Sequence, residues 1–428
     1  MATVFDSNKV TMRRLSRGAR VAVLTLPWAR SVALGAWVRS GTRDEPAELG
    51  GIAHFLEHMV FKGSFRYDTL ALARAFETLG GTMDAYTTHE TTVYSLQVLP
   101  EHVDAGLELL AELMVHAALV PADIELEKQV VDEEIQESED SPGDVVQEVC
   151  AKQAWGEHPL ARPVLGTRAT VGGLNADILR DWQRAQYAGD RILLAAAGAI
   201  EPEALMDAAE RAFADLPDQP APLDRAKPEL KPGIAVKREP ADQIHLCLAT
   251  AAPSAVDVER HALWVIDMLL GATMSSRLFQ EVREKRGLAY QISSSWQAQQ
   301  DVGMMLIDAI ASPAKVPDLL EVVLAEAEAM AAQPLPPEEL AWVKEYARTT
   351  LRLGSESVSA QMSRLARGYF HEDRYVTLDE TLSAIEALSG EDVQAVAQRL
   401  FAERRWVLAA AGPVTAKRAD RWGKVIVP

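Results

Sequence analysis

The chain has 428 residues, more than one compact core ordinarily holds when a domain runs to roughly 150. Its composition, 48% hydrophobic and 25% charged, is that of an ordinary globular protein and excludes disordered, collagen-like and disulfide-scaffold classes. Sixty-two acidic against 43 basic residues give a net charge of -19, which disfavours nucleic acid and anionic membrane as partners and favours basic ones.

Arg13, Arg14, Arg17 and Arg20 precede the apolar run 21–26, a pattern that imitates the basic and apolar regions of an export signal. Pro27 and Arg30 interrupt it too soon, and residues 31–38 alternate in the same way, so both segments are expected as buried strands. No other apolar run approaches the ~20 residues that span a bilayer. A cytoplasmic location without membrane insertion is the expectation.

Gly50-Gly51 then leads into His54-Phe55-Leu56-Glu57-His58, an H-x-x-E-H string. On a helix, positions four apart share a face, so both imidazoles can meet one metal ion while Glu57 points to the same side. The bland alternative is two helix-surface histidines beside a carboxylate. Tetrahedral catalytic zinc takes three protein ligands and leaves one position for water, so a further His, Asp or Glu is required from elsewhere.

Asp68 is placed to cap a helix running to Leu79, which Gly80-Gly81 ends. Residues 83–99 read as strand, with Tyr86, Thr88, Glu90, Thr92 and Tyr94 at period two, and His89 as a sheet-surface residue rather than a ligand. Helices are expected over 103–118 and 122–139. In the second, Glu127 and Glu134 are seven apart, two turns, and share a face with Val130 and Val131. Carboxylates sharing a face with valines ordinarily meet a cation or partner inside the fold. Glu133, Glu137 and Asp140 read instead as a solvated face. The stretch Glu157-His158-Pro159-Leu160 reads as a loop, with no role for His158. Cys150 and Cys247 fit neither a metal knuckle nor a disulfide framework and read as small buried hydrophobes in a reducing compartment.

Leu194-Ala195-Ala196-Ala197-Gly198 returns as Leu408-Ala409-Ala410-Ala411-Gly412, half a chain later. Pro121 and Pro337 likewise each open an acidic helix after an apolar-periodic one. Pro217, Pro220, Pro222, Pro228 and Pro232 crowd the stretch between these halves, a composition that extends the backbone. The expected organisation is an N-terminal catalytic domain over 1–216, a linker over 217–232 and a homologous C-terminal domain over 233–428. Runs of strands separated by helix pairs predict an α+β fold, each half an antiparallel-rich sheet packed against helices.

His54 to His58, the Glu127 to Glu134 segment and the 76-residue spacing from His58 to Glu134 resemble the pitrilysin-like inverted zincins, above all the processing-peptidase β subunit and its bacterial relatives. Gly50-Gly51-Ile52-Ala53, Phe61-Lys62-Gly63-Ser64 and Ser276 to Arg283 extend the likeness over nearly the whole chain. The resemblance implies a zinc metalloendopeptidase with one Zn²⁺ held by His54, His58 and Glu134, Glu57 as general base and Glu127 behind a histidine. It implies that Arg283 and Tyr290, seven apart, hold a substrate carbonyl and the oxyanion. It implies that Ala85 and Tyr86 lie on a strand edge pairing with extended peptide. Asp84 stands where the family commonly has asparagine. The second half has no H-x-x-E-H, and its counterpart region around 265–270 is mostly apolar.

The resemblance also implies two homologous halves enclosing a substrate chamber, and a pair of such chains closing it, as a homodimer or with a related inactive chain. Short or unfolded peptides are the expected substrates, basic residues in them being favoured by the net charge. The rival readings are a noncatalytic core subunit of a larger complex and a general peptide-clearing oligopeptidase.

Overall fold

The computed structural model describes residues 10–81, 83–220, 222–415, 418, 419 and 421–423. They form two compact units, each a mixed sheet packed against helices. The first comprises the described residues up to Ile135, then Pro163–Arg225 and Leu353–Val376; the second comprises Gln136–Arg162, Ala226–Arg352 and the described residues from Thr377 onward.

The first unit holds β1 (Val10–Arg14), β2 (Arg20–Thr25), β3 (Val32–Val38), β4 (Met83–Thr87), β5 (Thr92–Val98) and β6 (Ile192–Gly198) in the order β1-β2-β6-β3-β5-β4. Only β2 and β6 run parallel. The second unit holds β7 (Gly233–Arg238), β8 (Ile244–Ala252), β9 (Gln291–Ala298), β10 (Gly303–Ala311) and β11 (Val407–Gly412) in the order β7-β11-β8-β10-β9, with β7 and β11 parallel. Without β1, the two orders are the same: the alanine-rich repeats are β6 and β11, each flanked by one parallel and one antiparallel neighbour.

The reason for the alanines is burial on both faces of the sheet. Along β6, Ile192, Leu194 and Ala196 enter one core while Leu193, Ala195 and Ala197 enter another. Along β11, Leu408 and Ala410 face one core and Val407, Ala409 and Ala411 the other. Small side chains let helices approach from both sides. In the first unit the second face is covered by the helix Val358–His371, whose Val358, Met362, Leu365 and Phe370 pack there. In the second it is covered by the helix Pro142–Trp155 through Val145, Val146, Cys150 and Trp155. Each sheet therefore draws one helix from the opposite half of the sequence. Cys150 and Cys247 are both buried in that second core, with free thiols.

Residues 83–99 are not one strand. Thr88 interrupts them: its hydroxyl accepts from the Glu90 and Thr91 amides, and its amide donates to the Thr91 carbonyl, which closes a turn between β4 and β5. His89 therefore lies in this turn rather than on the sheet surface, its carbonyl accepting from the Arg43 amide. Glu90 is buried beneath it and pairs with Arg43 at 2.7 Å and Arg225 at 3.4 Å. The described residues of 217–232 contain no regular element. Among the described residues, no helix is long and apolar enough to cross a membrane.

Candidate metal centre

The motif helix, Ile52–Met59, is only eight residues long, and its start is fixed from outside. The buried Glu45 carboxylate accepts from the amides of Gly51 and Ala53, each at 2.8 Å, and so satisfies donors that a helix N-terminus leaves unpaired. Gly51 adopts φ +89°, and a Cβ there would stand 2.5 Å from the Leu165 carbonyl oxygen, so the turn into the helix requires glycine. Ile52, Ala53, Phe55, Leu56 and Met59 are buried, which leaves His54, Glu57 and His58 on the remaining face.

The two imidazole rings lie 4.5 Å apart. Opposite them, Glu134 reaches from the helix Pro121–Asp140, its Oε2 3.8 Å from His54 Nε2 and 3.6 Å from His58 Nε2. One donor atom from each residue falls within 4.8 Å of the others, the one such group among the described residues. Ligands about 2.0–2.1 Å from a tetrahedral zinc stand roughly 3.3 Å apart; both Glu134–imidazole distances lie within about half an ångström of that separation, and two imidazoles with one carboxylate are a donor set that suits zinc. Burial, reinforced by the neighbouring His58, pulls the His54 pKa down to about 4, so this imidazole is neutral, the form that ligates metal, at physiological pH.

Glu127 stands behind His58. Its Oε1 is 2.9 Å from His58 Nδ1 and its Oε2 2.5 Å from Lys62 Nζ, with the carboxylate almost wholly buried. A carboxylate on Nδ1 selects the tautomer that frees Nε2 as the ligand atom. Val131 is buried beside it, whereas Val130 is exposed, because the face that holds both glutamates passes between the two valines. Glu133, Glu137 and Asp140 are exposed.

Glu57 accepts a 2.6 Å hydrogen bond from Thr87 Oγ1 at the end of β4. Burial raises the Glu57 carboxyl above its ordinary range, against lowering contributions from this hydrogen bond and from His58. The strand that carries Thr87 is the last in its sheet, paired on one side with β5, where Ala85 stands opposite Tyr94. Ala85 packs against the core, while Tyr86 and Asp84, on the alternate face, are exposed. His158 caps a short helical turn and its Nε2 lies 3.0 Å from the Ala226 carbonyl oxygen.

In the second unit, Arg283 lies in a π-wound segment, Phe279–Lys285, and its guanidinium sits 4.7 Å above the Phe279 ring and 5.0 Å above that of Tyr290. Tyr290 is 78% exposed, so it is not the core tyrosine that a purely structural role would require. The counterpart of the motif helix, Arg260–Asp267, is apolar on its packed face except for Asp267, which accepts from Ser294 Oγ at 2.6 Å.

Three side chains at the centre have no role that the sequence assigns: Glu45, Lys62, which lies in a family-like stretch, and Thr87. Each acts through a partner 6 to 65 positions away, at 2.8, 2.5 and 2.6 Å. Only the register of β4 against the helix could have singled out Thr87.

Two family descriptions match the chain: "Insulinase (Peptidase family M16)" over residues 20–168 and "Peptidase M16 inactive domain" over residues 173–346. The uncharacterized zinc protease YmxG of Bacillus subtilis is 34% identical over 386 residues, which cover 90% of this chain and 94% of that protein. An uncharacterized zinc protease of Streptomyces coelicolor is 33% identical over 421 residues, covering 96% and 92%. Among solved structures, a peptidase M16 inactive domain from Pseudomonas fluorescens superimposes with a TM-score of 0.89 at 22% identity, over 95% of this chain and 99% of that one. A protease from Helicobacter pylori gives 0.87 at 21%, over 95% and 100%. These two structures share the fold.

Proposed function

The chain belongs to peptidase family M16, and from that premise we propose that it is a zinc metalloendopeptidase acting on short or unfolded peptides. The observation that carries this reading is the approach of His54 Nε2 and His58 Nε2 to a single carboxylate oxygen of Glu134. A bound zinc supplies Lewis-acid polarisation of the scissile carbonyl and lowers the pKa of a water to about 7.

The chain's own residues do the rest. Glu57, held by Thr87, takes a proton from the attacking water and delivers it to the leaving amine. Glu127 orients His58. The free edge of β4 lets Ala85 and Tyr86 grip an extended peptide through the main chain, which would make the enzyme tolerant of sequence. Arg283 and Tyr290 are assigned to a substrate carbonyl and to the oxyanion. The segment matched by the description "inactive domain", residues 173–346, contains no H-x-x-E-H, and the second half is assigned no metal. A preference for basic residues, by virtue of the net charge of -19, and pairing with a second chain of this kind belong to the same proposal.

The test is to incubate the purified chain with a mixture of unstructured peptides, with and without chelator, beside Glu57→Gln, and to identify products by mass spectrometry. Chelator-sensitive cuts absent from the variant are expected. Cuts that survive both treatments would overturn the assignment, and no cuts in any sample would favour a noncatalytic role or a required second chain.

A further inference from the structure

Lys62 closes the short 3-10 turn Val60–Lys62 that follows the motif helix, four positions beyond His58. The tighter winding of the 3-10 turn, three residues to a turn, sets the direction in which Lys62 leaves the backbone. Both end on one carboxylate: His58 Nδ1 on Glu127 Oε1 at 2.9 Å, and Lys62 Nζ on Glu127 Oε2 at 2.5 Å. Glu127 is 97% buried, and a carboxylate taken out of water needs each oxygen satisfied. With Oε2 committed to an ammonium, Oε1 is left for the imidazole. Remove the ammonium, and the carboxylate is free to turn toward water or to bridge other donors, and the histidine loses a fixed partner.

We propose that Lys62 is a positioning residue of the metal centre: by holding one oxygen of Glu127 it fixes the other on His58 Nδ1, and so keeps His58 Nε2 aimed at the metal. This rests on the zinc reading above. Lys62 itself touches neither metal nor substrate. Its side chain is one-third exposed, so shortening it opens no core cavity.

The experiment measures zinc dissociation constants of the full chain by competition with a chromophoric chelator, for the parent, Lys62→Met, Lys62→Arg, Glu127→Gln and the double variant Lys62→Met/Glu127→Gln. Loss of an outer partner ordinarily weakens metal binding by 10–100-fold, so Lys62→Met should bind zinc ~10-fold more weakly. Arginine keeps a cationic donor at that place and should stay within about 3-fold of the parent. In the Glu127→Gln background, where the carboxylate is gone, removal of Lys62 should change affinity by less than about 2-fold, the non-additivity expected of residues acting in series.

A role confined to fold stability predicts a different pattern: lowered melting temperature, and the same loss of affinity in both backgrounds. Parent-like zinc binding by Lys62→Met, or an equal loss in both backgrounds, overturns the proposal. Lys62→Gln carries the same expectation should methionine there unfold the chain. A parent that binds no zinc overturns the metal reading and Lys62 with it, whereas a zinc-binding parent matched by Lys62→Met overturns the Lys62 assignment alone.

Discussion

The Thr87 hydroxyl donates to the Glu57 carboxylate across 2.6 Å, joining the edge strand β4 to the motif helix. That bond lowers the Glu57 pKa against the rise caused by burial. Thr87→Val keeps the shape and removes the donor, so the carboxyl should hold its proton to higher pH. A general base must be ionised, and the acid limb of the kcat/KM profile should therefore move to higher pH, with more activity lost at pH 6 than at pH 8. Zinc content should be unchanged. A profile that scales down uniformly would show that Thr87 only packs.

Glu134→Ala removes the carboxylate on which both Nε2 atoms converge. Loss of a direct ligand should exceed the 10–100-fold typical of an outer partner, so zinc affinity should fall by more than ~10²-fold. Metal analysis after gel filtration reads this directly. Full occupancy in the variant would transfer the third ligand to Glu127 or Glu133.

How much of this centre was legible in sequence follows from the range of the interactions. The spacing of His54, Glu57 and His58 on one helix and of Glu127 and Glu134 on another is local geometry, which a 3.6-residue period dictates. The Asp68 cap is equally local, and its carboxylate accepts from the Ala71 amide at 2.8 Å. The alanine repeat announced the duplication because a strand buried on both faces tolerates little else. The turn at Thr88–Thr91 was hidden by threonines that are good strand formers, and the hydroxyl bonds that make the turn compete with the ladder. The helices Pro142–Trp155 and Val358–His371 show their apolar faces in sequence, yet amphipathicity does not say which sheet a face will meet. The roles of Lys62 and Thr87 are hidden for the same reason: their partners are set by packing.

Asp267 gives a pH dependence of stability that is separate from catalysis. Burial raises its carboxyl above the ordinary value, against a lowering hydrogen bond from Ser294. The folded chain thus keeps a proton there over a range in which the unfolded chain has released it. The stability this group contributes is present below the ordinary carboxylate range and declines as pH rises through the raised value. Asp267→Asn cannot ionise, so its melting temperature relative to the parent should improve between pH 4 and pH 7. A difference that is constant with pH would show that the group titrates alike in both states.

Tyr290 separates function from packing most cleanly. Its side chain is largely exposed and its ring lies beneath the Arg283 guanidinium, a contact that the ring rather than the hydroxyl supports. Tyr290→Phe retains that stacking, so thermal stability should match the parent. If the hydroxyl donates to the developing oxyanion, as proposed, kcat should drop by ~10²-fold with KM little changed, because the interaction is made only in the transition state. Equal losses in kcat/KM through KM alone would place Tyr290 in ground-state substrate binding. Parent-like kinetics would leave it as the aromatic support of Arg283, and Arg283→Gln would then be the variant that tests whether this pair meets substrate at all.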